Sequence, residues 1–167
     1  MLCDTSFFNT TILCITSVSY TENVLVAVGL DDGSTMPQRI CHISVDRMER
    51  VKAIDSTPTW VGNGASACVM GDTLYAVGLG FHCRELWKWN ATETNCAKCA
   101  DMTSEKSRHS VAVVDATLYI LGRLVGADRT PESSVVAYNT LTNEWSTAGQ
   151  LSRAICSAAC VSYNRSI

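Results

Sequence analysis

The sequence has no hydrophobic run long enough to span a membrane and no cluster of like charge. Its longest uninterrupted apolar stretches are about seven residues, whereas a transmembrane helix needs roughly 20. Its 13 basic and 16 acidic residues are scattered along the chain, so the basic patch required by nucleic acid or an anionic lipid surface is missing. We therefore expect neither a membrane nor a nucleic acid as a partner.

The sequence also lacks the marks of a secreted protein. Residues 1–15 are fairly apolar, but they have no basic region and contain Asp4, so they match a signal peptide poorly. The nine cysteines are odd in number and lie mostly inside apolar runs, where cysteine acts as a small hydrophobe rather than as half of a disulfide. These features predict a cytoplasmic protein.

No stretch of the chain repeats with a helical period, whereas a short apolar phrase that ends in glycine occurs three times. The phrase occupies residues 24–29, 74–78 and 118–122, so that it recurs about every 45 residues, a period typical of propellers and solenoids. Residues 161–167 resemble residues 18–24, which predicts the start of a fourth unit. With 47% hydrophobic and 17% charged residues, we expect one all-β repeat domain.

The third unit shows the strand pattern most clearly. β-Branched and aromatic residues form short runs that are bounded by Asp, Asn, Ser and Thr, which is typical of strands and turns. We predict one four-stranded antiparallel sheet, with strands at 110–114, 118–122 and 134–138 and a fourth that begins at Glu144. Turns are expected at Asp115-Ala116 and at 139–143, and a loop is expected up to Ser133.

Together these residues resemble the kelch repeat of the Kelch-like proteins. The resemblance rests on an Arg before an apolar strand, a Leu-Tyr strand that ends in glycine, a Tyr-Asn turn and a Trp soon after it: Arg108-His109-Ser110, Leu118-Tyr119-Ile120-Leu121-Gly122, Tyr138-Asn139, Asn143-Glu144-Trp145 and Arg153. The second glycine of the usual pair is replaced by Leu30, Leu79 and Arg123, which implies a divergent member.

The resemblance implies a kelch-type β-propeller. Kelch blades close into rings of four to eight, so we expect an incomplete ring over residues 1–167 with repeats at about 16–60, 61–107 and 108–152 and a fourth that begins at 153. An unpaired sheet edge favours self-association. The sequence leaves three explanations open: a fragment of a longer product, an alternatively ended form, or half of a ring that a second copy completes.

Large aromatic side chains are expected in the core of this propeller. Tyr75 and Tyr119 are assigned to the innermost strands. Trp87 and Trp89 are two residues apart on a strand and therefore share a face, with Lys88 on the other. Trp145 is expected to pack between neighbouring sheets.

The resemblance also implies a binding surface at the mouth of the propeller. In Kelch-like substrate adaptors, arginines that stand before the first strand of a repeat hold acidic groups of a partner peptide, and Arg108 and Arg153 match that position. The planar guanidinium suits this role because it pairs bidentately with carboxylates; the competing interpretation is two solvated surface arginines. Arg39, Arg84 and Arg129 lie in predicted loops and are weaker candidates.

The leading prediction is a non-catalytic protein-interaction module that recognises substrates for a cullin-based ubiquitin ligase and reaches the cullin through an upstream region that this sequence lacks. An actin-binding kelch protein is the alternative in the same class. A redox sensor or enzyme that uses Cys96 and Cys99 is the alternative in another class. A zinc site built from these cysteines with His82 and Cys83 is unfavourable, because adjacent residues of a strand point in opposite directions. We expect no metal, no cofactor and no enzymatic activity.

Overall fold

The computed structural model describes residues 12–16, 24–29, 39–44, 49–56, 65–79, 83–90, 96–125 and 130–167. Every helix or strand in these ranges is a β-strand, and there are twelve: β1 (Ile12–Thr16), β2 (Val24–Gly29), β3 (Arg39–Ser44), β4 (Glu49–Ser56), β5 (Ser66–Met70), β6 (Thr73–Leu79), β7 (Glu85–Asn90), β8 (Cys96–Lys98), β9 (Ser110–Val114), β10 (Thr117–Val125), β11 (Thr130–Asn139) and β12 (Glu144–Ile155). None of the described residues forms a helix with the length and hydrophobicity of a membrane span.

The strands form three four-stranded sheets in which neighbours in sequence are neighbours in space. The first sheet has the order β1-β2-β3-β4, the second β5-β6-β7-β8 and the third β9-β10-β11-β12, and every pairing is antiparallel. Strands joined by short connections pair in this way because closing a short loop costs little conformational entropy. The three occurrences of the apolar phrase that ends in glycine lie in β2, β6 and β10, the second strand of each sheet.

The third sheet agrees with the strand pattern of its sequence except at two places. The turn at Asp115-Ala116 and the strand β9 are as predicted. The predicted loop up to Ser133 is wrong, however, because β11 already begins at Thr130. Pro131 is tolerated in this strand because the ladder with β12 ends at Glu132, so the missing N–H of the proline leaves no β12 carbonyl unpaired.

The second departure concerns the start of the fourth unit. β12 continues to Ile155 as the outer strand of the third sheet, so Arg153 lies inside this strand and not in front of a new one. The β11–β12 register shifts at two places, one of them between Gln150 and Ile155, and such irregularities let a strand bend while the residues on either side stay paired. After β12 the chain turns back to β9, where the Ser157 N–H donates to the Arg108 carbonyl at 2.8 Å.

The innermost strands of the sheets are the ones that contact one another. β5 contacts both β1 and β9, and each of these is the first strand of its sheet. The assignment of Tyr75 and Tyr119 to innermost strands is therefore wrong, because they lie on the second strands β6 and β10. Tyr75 is buried and Tyr119 is half-buried.

The largest hydrophobic cluster lies between the second and third sheets, an interface that we call the seam. Side chains of both sheets contribute to it: Cys68, Tyr75, Val77 and Leu86 from the second, Leu118, Ile120 and Tyr138 from the third, and Cys99 and Met102 from the chain that connects them. Trp145 packs against this cluster, and its indole N–H donates to the Ala100 carbonyl at 2.8 Å. The prediction that Trp145 packs between sheets is confirmed.

A smaller cluster lies on the other face of the second sheet. It contains Trp89, Leu74 and Ala67, and Trp87 packs against it, whereas Lys88 is exposed. The two tryptophans therefore share one face of β7, as their spacing predicts.

Candidate functional site

In the second and third sheets, β6 and β10 contain the repeated apolar phrase that ends in glycine. We call the edge of each sheet at which this phrase ends the glycine edge. In the third sheet Leu121 of β10 pairs with Ser110 at the start of β9, and Arg123 pairs with Glu132 near the start of β11. In the second sheet Leu79 pairs with Glu85 at the start of β7. The connection from one sheet to the next arrives at this same edge, so residues of several elements meet there.

Gly78 and Gly122 are required at this edge because another part of the chain lies directly against them. A Cβ on Gly78 would lie 2.6 Å from Cε1 of His109, and a Cβ on Gly122 would lie 2.6 Å from the Ile155 carbonyl oxygen. Both glycines have positive φ values, 82° and 61°, which favour glycine. The residues in place of the second glycine, Leu79 and Arg123, are both buried, so this position contributes to packing here.

Residues 99–109, which we call the connecting segment, run from the second sheet to the third along this edge. Backbone hydrogen bonds attach the segment to the second sheet: Cys99 N–H to Leu86 O at 2.8 Å, Met102 N–H to Arg84 O at 2.9 Å and Lys106 N–H to Cys83 O at 3.3 Å. The Arg84 side chain adds a further bond, from its Nε to the Met102 carbonyl at 2.8 Å. The segment is therefore held in place although it contains no regular structure.

Two of the predicted arginines lie at the glycine edge of the third sheet with exposed side chains. Arg108 stands two residues before β9, and Arg153 lies near the end of β12; both are exposed. Neither guanidinium forms an ion pair with a described residue. Arg108 has a φ of 52°, and its carbonyl is held by the Ser157 N–H, so its backbone position is well defined.

The three weaker candidates have different positions. Arg84 precedes β7 at the glycine edge of the second sheet and uses its Nε to hold the connecting segment. Arg39 is the first residue of β3 and pairs with Gly29, so it occupies the corresponding edge of the first sheet. Arg129 lies outside the described residues. The structure places Arg84, Arg108 and Arg153 at the glycine edge of the second or third sheet.

Three basic side chains at this edge are buried, and the sequence analysis did not identify them as a group. Lys106 and His109 come from the connecting segment and Arg123 from β10. Arg123 donates from Nε to a carboxylate oxygen of Glu132 and from Nη1 to Ser104 Oγ at 2.7 Å. We call Lys106, His109 and Arg123 the buried basic cluster. Its only signal in the sequence is Arg123 at the second-glycine position.

The ionisation of this cluster is set by burial. The pKa of Lys106 falls to about 7 because burial disfavours its charged form and Arg123 lies nearby. The pKa of His109 falls to about 4, mainly through burial and then through Lys106. Lys106 Nζ has no hydrogen-bond partner, and neither ring nitrogen of His109 has one of good geometry, although the backbone of Val77 and of Lys106 opposes part of the lowering at His109. At neutral pH the cluster therefore carries a full charge on Arg123 and a partial charge on Lys106.

The cysteines that suggested a metal or redox site lie in separate environments. Cys96 packs against the cluster around Trp89, whereas Cys99 belongs to the seam. Burial raises the pKa of the Cys83 thiol, and Glu105 adds to this effect. In the described part of the chain, no three His, Cys, Asp or Glu side chains are grouped so that they could hold a metal ion; His82 lies outside that part.

Comparison with known proteins shows that the chain is similar to kelch-repeat proteins. The Kelch motif matches residues 105–152. Human Kelch-like protein 35 is 27% identical over 84% of this chain, and mouse Kelch-like protein 35 is 24% identical over 83%. In both cases the match covers 24% of the relative, so the chain spans about a quarter of the length of these curated relatives.

The solved structure of YjhT is similar to this chain in fold. The TM-score is 0.56 and the sequence identity is 17%, over 65% of this chain and 33% of the YjhT chain. Together with the three antiparallel sheets and the Kelch motif, this likeness shows an all-β, kelch-type propeller that comprises about three blades in the described residues.

The expectation that the chain is not an enzyme is contradicted by the same likeness. That expectation rested on the lack of a recognisable nucleophile and base in the sequence, yet YjhT has the same fold at only 17% identity. A fold that is shared across such sequence distance does not determine whether its members are catalytic. The kelch fold therefore gives no ground for excluding catalysis.

The Kelch-like relatives support a narrower conclusion about binding. Both matches extend over more than four fifths of this chain, and the glycine edge presents exposed arginines next to a fixed connecting segment, as a surface for another protein would. The chain is therefore similar to Kelch-like proteins over most of its length, at low sequence identity.

Proposed function

We propose that this kelch module recognises substrate proteins for a cullin-based ubiquitin ligase in the cytoplasm and binds them through acidic side chains. The observation that carries the proposal is the position of Arg108 and Arg153. Both are exposed at the glycine edge of the third sheet, and neither guanidinium is paired with a carboxylate of the described residues. Two unpaired guanidinium groups at one edge favour a partner that supplies carboxylates.

The surroundings of Arg108 support a binding role over that of a solvated surface arginine. Its backbone is held by the Ser157 N–H, and its neighbour His109 is packed against Gly78. An arginine with a fixed backbone loses less conformational entropy when it binds a partner. In this proposal Arg108 and Arg153 orient the partner, and Arg39, Arg84 and Arg129 are further contributors.

The binding of labelled peptides tests this proposal. The probe is a fluorescein-labelled peptide of alternating Glu and Gly, compared with a peptide that has Gln in place of Glu, and fluorescence anisotropy measures affinity for the 167-residue chain. We expect R108E and R153E each to weaken binding of the Glu peptide about tenfold or more, because a hydrogen bond to a charged group contributes roughly 1.5–3 kcal/mol. The melting temperature should stay unchanged.

Arg165 is a matched control because it is equally exposed but lies at the opposite edge. It pairs with Asp115 of the β9–β10 turn at 2.6 Å, so R165E changes the net charge as much as either test variant. We expect its affinity for the Glu peptide to equal that of the unchanged chain. Equal binding of the Glu and Gln peptides, or an equal loss in all three variants, would reject a specific acidic site at Arg108 and Arg153.

The link to a cullin needs a separate test, because it depends on regions outside this chain. Purification of the longer gene product with a cullin would support the adaptor role. Failure of the longer product to co-purify with a cullin, together with normal binding of the Glu peptide, would restrict the function to protein binding.

A further inference from the structure

The buried basic cluster contains an amine with no partner. Lys106 is 1% exposed, and its Nζ makes no hydrogen bond. A buried ammonium without a partner is costly, because its desolvation is not repaid by a hydrogen bond or a counter-charge. The carboxylate in contact with the cluster, that of Glu132, is already engaged by Arg123. The position therefore favours a lysine that is neutral or covalently changed.

The groups around Lys106 would favour a negatively charged group attached to its nitrogen. Arg123 acts electrostatically on Lys106, and a guanidinium has five N–H donors, of which those on Nε and Nη1 are directed to Glu132 and Ser104. Lys106 also acts electrostatically on His109. The site thus combines a buried amine, a permanent positive charge and an imidazole within one cluster.

We propose that Lys106 is a carbamylation site that reacts reversibly with carbon dioxide. The nitrogen lone pair of the neutral amine attacks the carbon of CO₂, and a C–N bond forms while one C=O electron pair moves onto oxygen. The nitrogen then loses one proton to water or buffer. The net change is R–NH₂ + CO₂ → R–NH–COO⁻ + H⁺, and no oxidant or reductant is needed.

The product places a negative charge close to a positive one. The carbamate carries one negative charge, and the guanidinium of Arg123, which also pairs with Glu132, attracts it in a medium where charge interactions are strong. The irregular connecting segment, to which Lys106 belongs, can adjust to the added atoms more easily than a paired strand can. This inference does not depend on the proposed acidic partner.

Chemical trapping followed by mass spectrometry tests the proposal. The 167-residue chain is equilibrated with ¹³C-labelled CO₂ at pH 7.5, carbamates are fixed with a trialkyloxonium reagent, and peptides are analysed. Because burial lowers the pKa of Lys106 to about 7, much of this amine is neutral at pH 7.5, against roughly one in a thousand for an ordinary lysine. We expect the trapped yield at Lys106 to exceed that at another lysine by on the order of a hundredfold or more.

Lys98 is the internal control. It is exposed and lies 3.4 Å from a carboxylate oxygen of Glu85 and 3.2 Å from one of Asp101, and these contacts raise its pKa. The ¹³C carbamate signal in the NMR spectrum of the intact chain should disappear in K106R and persist in K98R. A yield at Lys106 no higher than at Lys98 in the unchanged chain would overturn the proposal, whether or not K106R folds.

Discussion

Gly78 and His109 touch across the seam, with room for a hydrogen at Gly78 but not for a methyl group. A Cβ on Gly78 would lie 2.6 Å from Cε1 of His109, and the ring of His109 is itself 5% exposed. The glycine of one repeat thus determines how closely the first residues of the next repeat approach. This contact explains why position 78 requires glycine.

The contact predicts that substitutions at Gly71 and Gly78 differ greatly in their cost to stability. Gly71 also has a positive φ, 58°, but a Cβ there would meet nothing within 4 Å. Gly71→Ala should cost only the backbone strain, on the order of 1 kcal/mol. Gly78→Ala adds overpacking of about 1–3 kcal/mol. Urea denaturation measures both, and equal losses would show that His109 moves aside freely.

The contacts of Trp145 predict that its substitution destabilises the seam. Its Nε1 donates to the Ala100 carbonyl across the two sheets at 2.8 Å, and its ring lies 5.0 Å from that of Tyr138. Trp145→Phe keeps a ring but leaves that carbonyl without its indole donor, which should cost about 1–3 kcal/mol. Trp87→Phe is the control, because Trp87 donates to Glu85 of its own strand and packs outside the seam. A smaller loss at Trp145 than at Trp87 would contradict this role.

Lys106 predicts how stability depends on pH. Its pKa is about 7 in the folded chain and roughly 10.4 when unfolded, so the unfolded chain binds more protons between these values. The free energy of unfolding should therefore rise with pH from about 7 to about 10.4 through this group, while below pH 7 its cost remains fully present. K106M should remove this slope and raise stability at pH 7.

Denaturation of both chains across this pH range, in buffer free of carbon dioxide, provides the measurement. The difference in the free energy of unfolding between the unchanged chain and K106M isolates the contribution of Lys106 from those of the tyrosines and cysteines that also titrate at high pH. A constant difference would mean that Lys106 is protonated alike in both states.

Exposed hydrophobic side chains after β12 predict self-association. Val161 and Tyr163 are 77% and 76% exposed, and burying such side chains contributes about 1.5–3 kcal/mol each. Light scattering after size exclusion should show a mass that rises with concentration, and V161S with Y163S should lower it. Leu141 is 83% exposed but lies in the β11–β12 turn, so L141S should have no effect. A monomer at all concentrations would exclude this mode of association.

Local sequence was sufficient to predict β9 and the turn that follows it in the third sheet. The turn at Asp115-Ala116 lies between two apolar runs, and Asp115 has a φ of 52°, a conformation that Asp tolerates better than most residues. The alternation of Trp87, Lys88 and Trp89 predicted which side chains are buried, because neighbours along a strand point to opposite faces. These features depend on residues a few positions apart.

Tertiary contacts determined what the local pattern could not. β12 extends past Arg153 to Ile155, which pairs with Glu132 of β11, and the strand order puts Tyr75 on a second strand. The buried basic cluster exists because the connecting segment folds over β10, with the Ser107 carbonyl bonded to the Leu124 N–H at 2.9 Å. The sequence by itself determined the repeat, the strands and the exposed arginines, since these follow from local periodicity and turn chemistry. The burial of Lys106, His109 and Arg123 was decided only when two sheets packed together, because desolvation depends on neighbours that are distant in the chain.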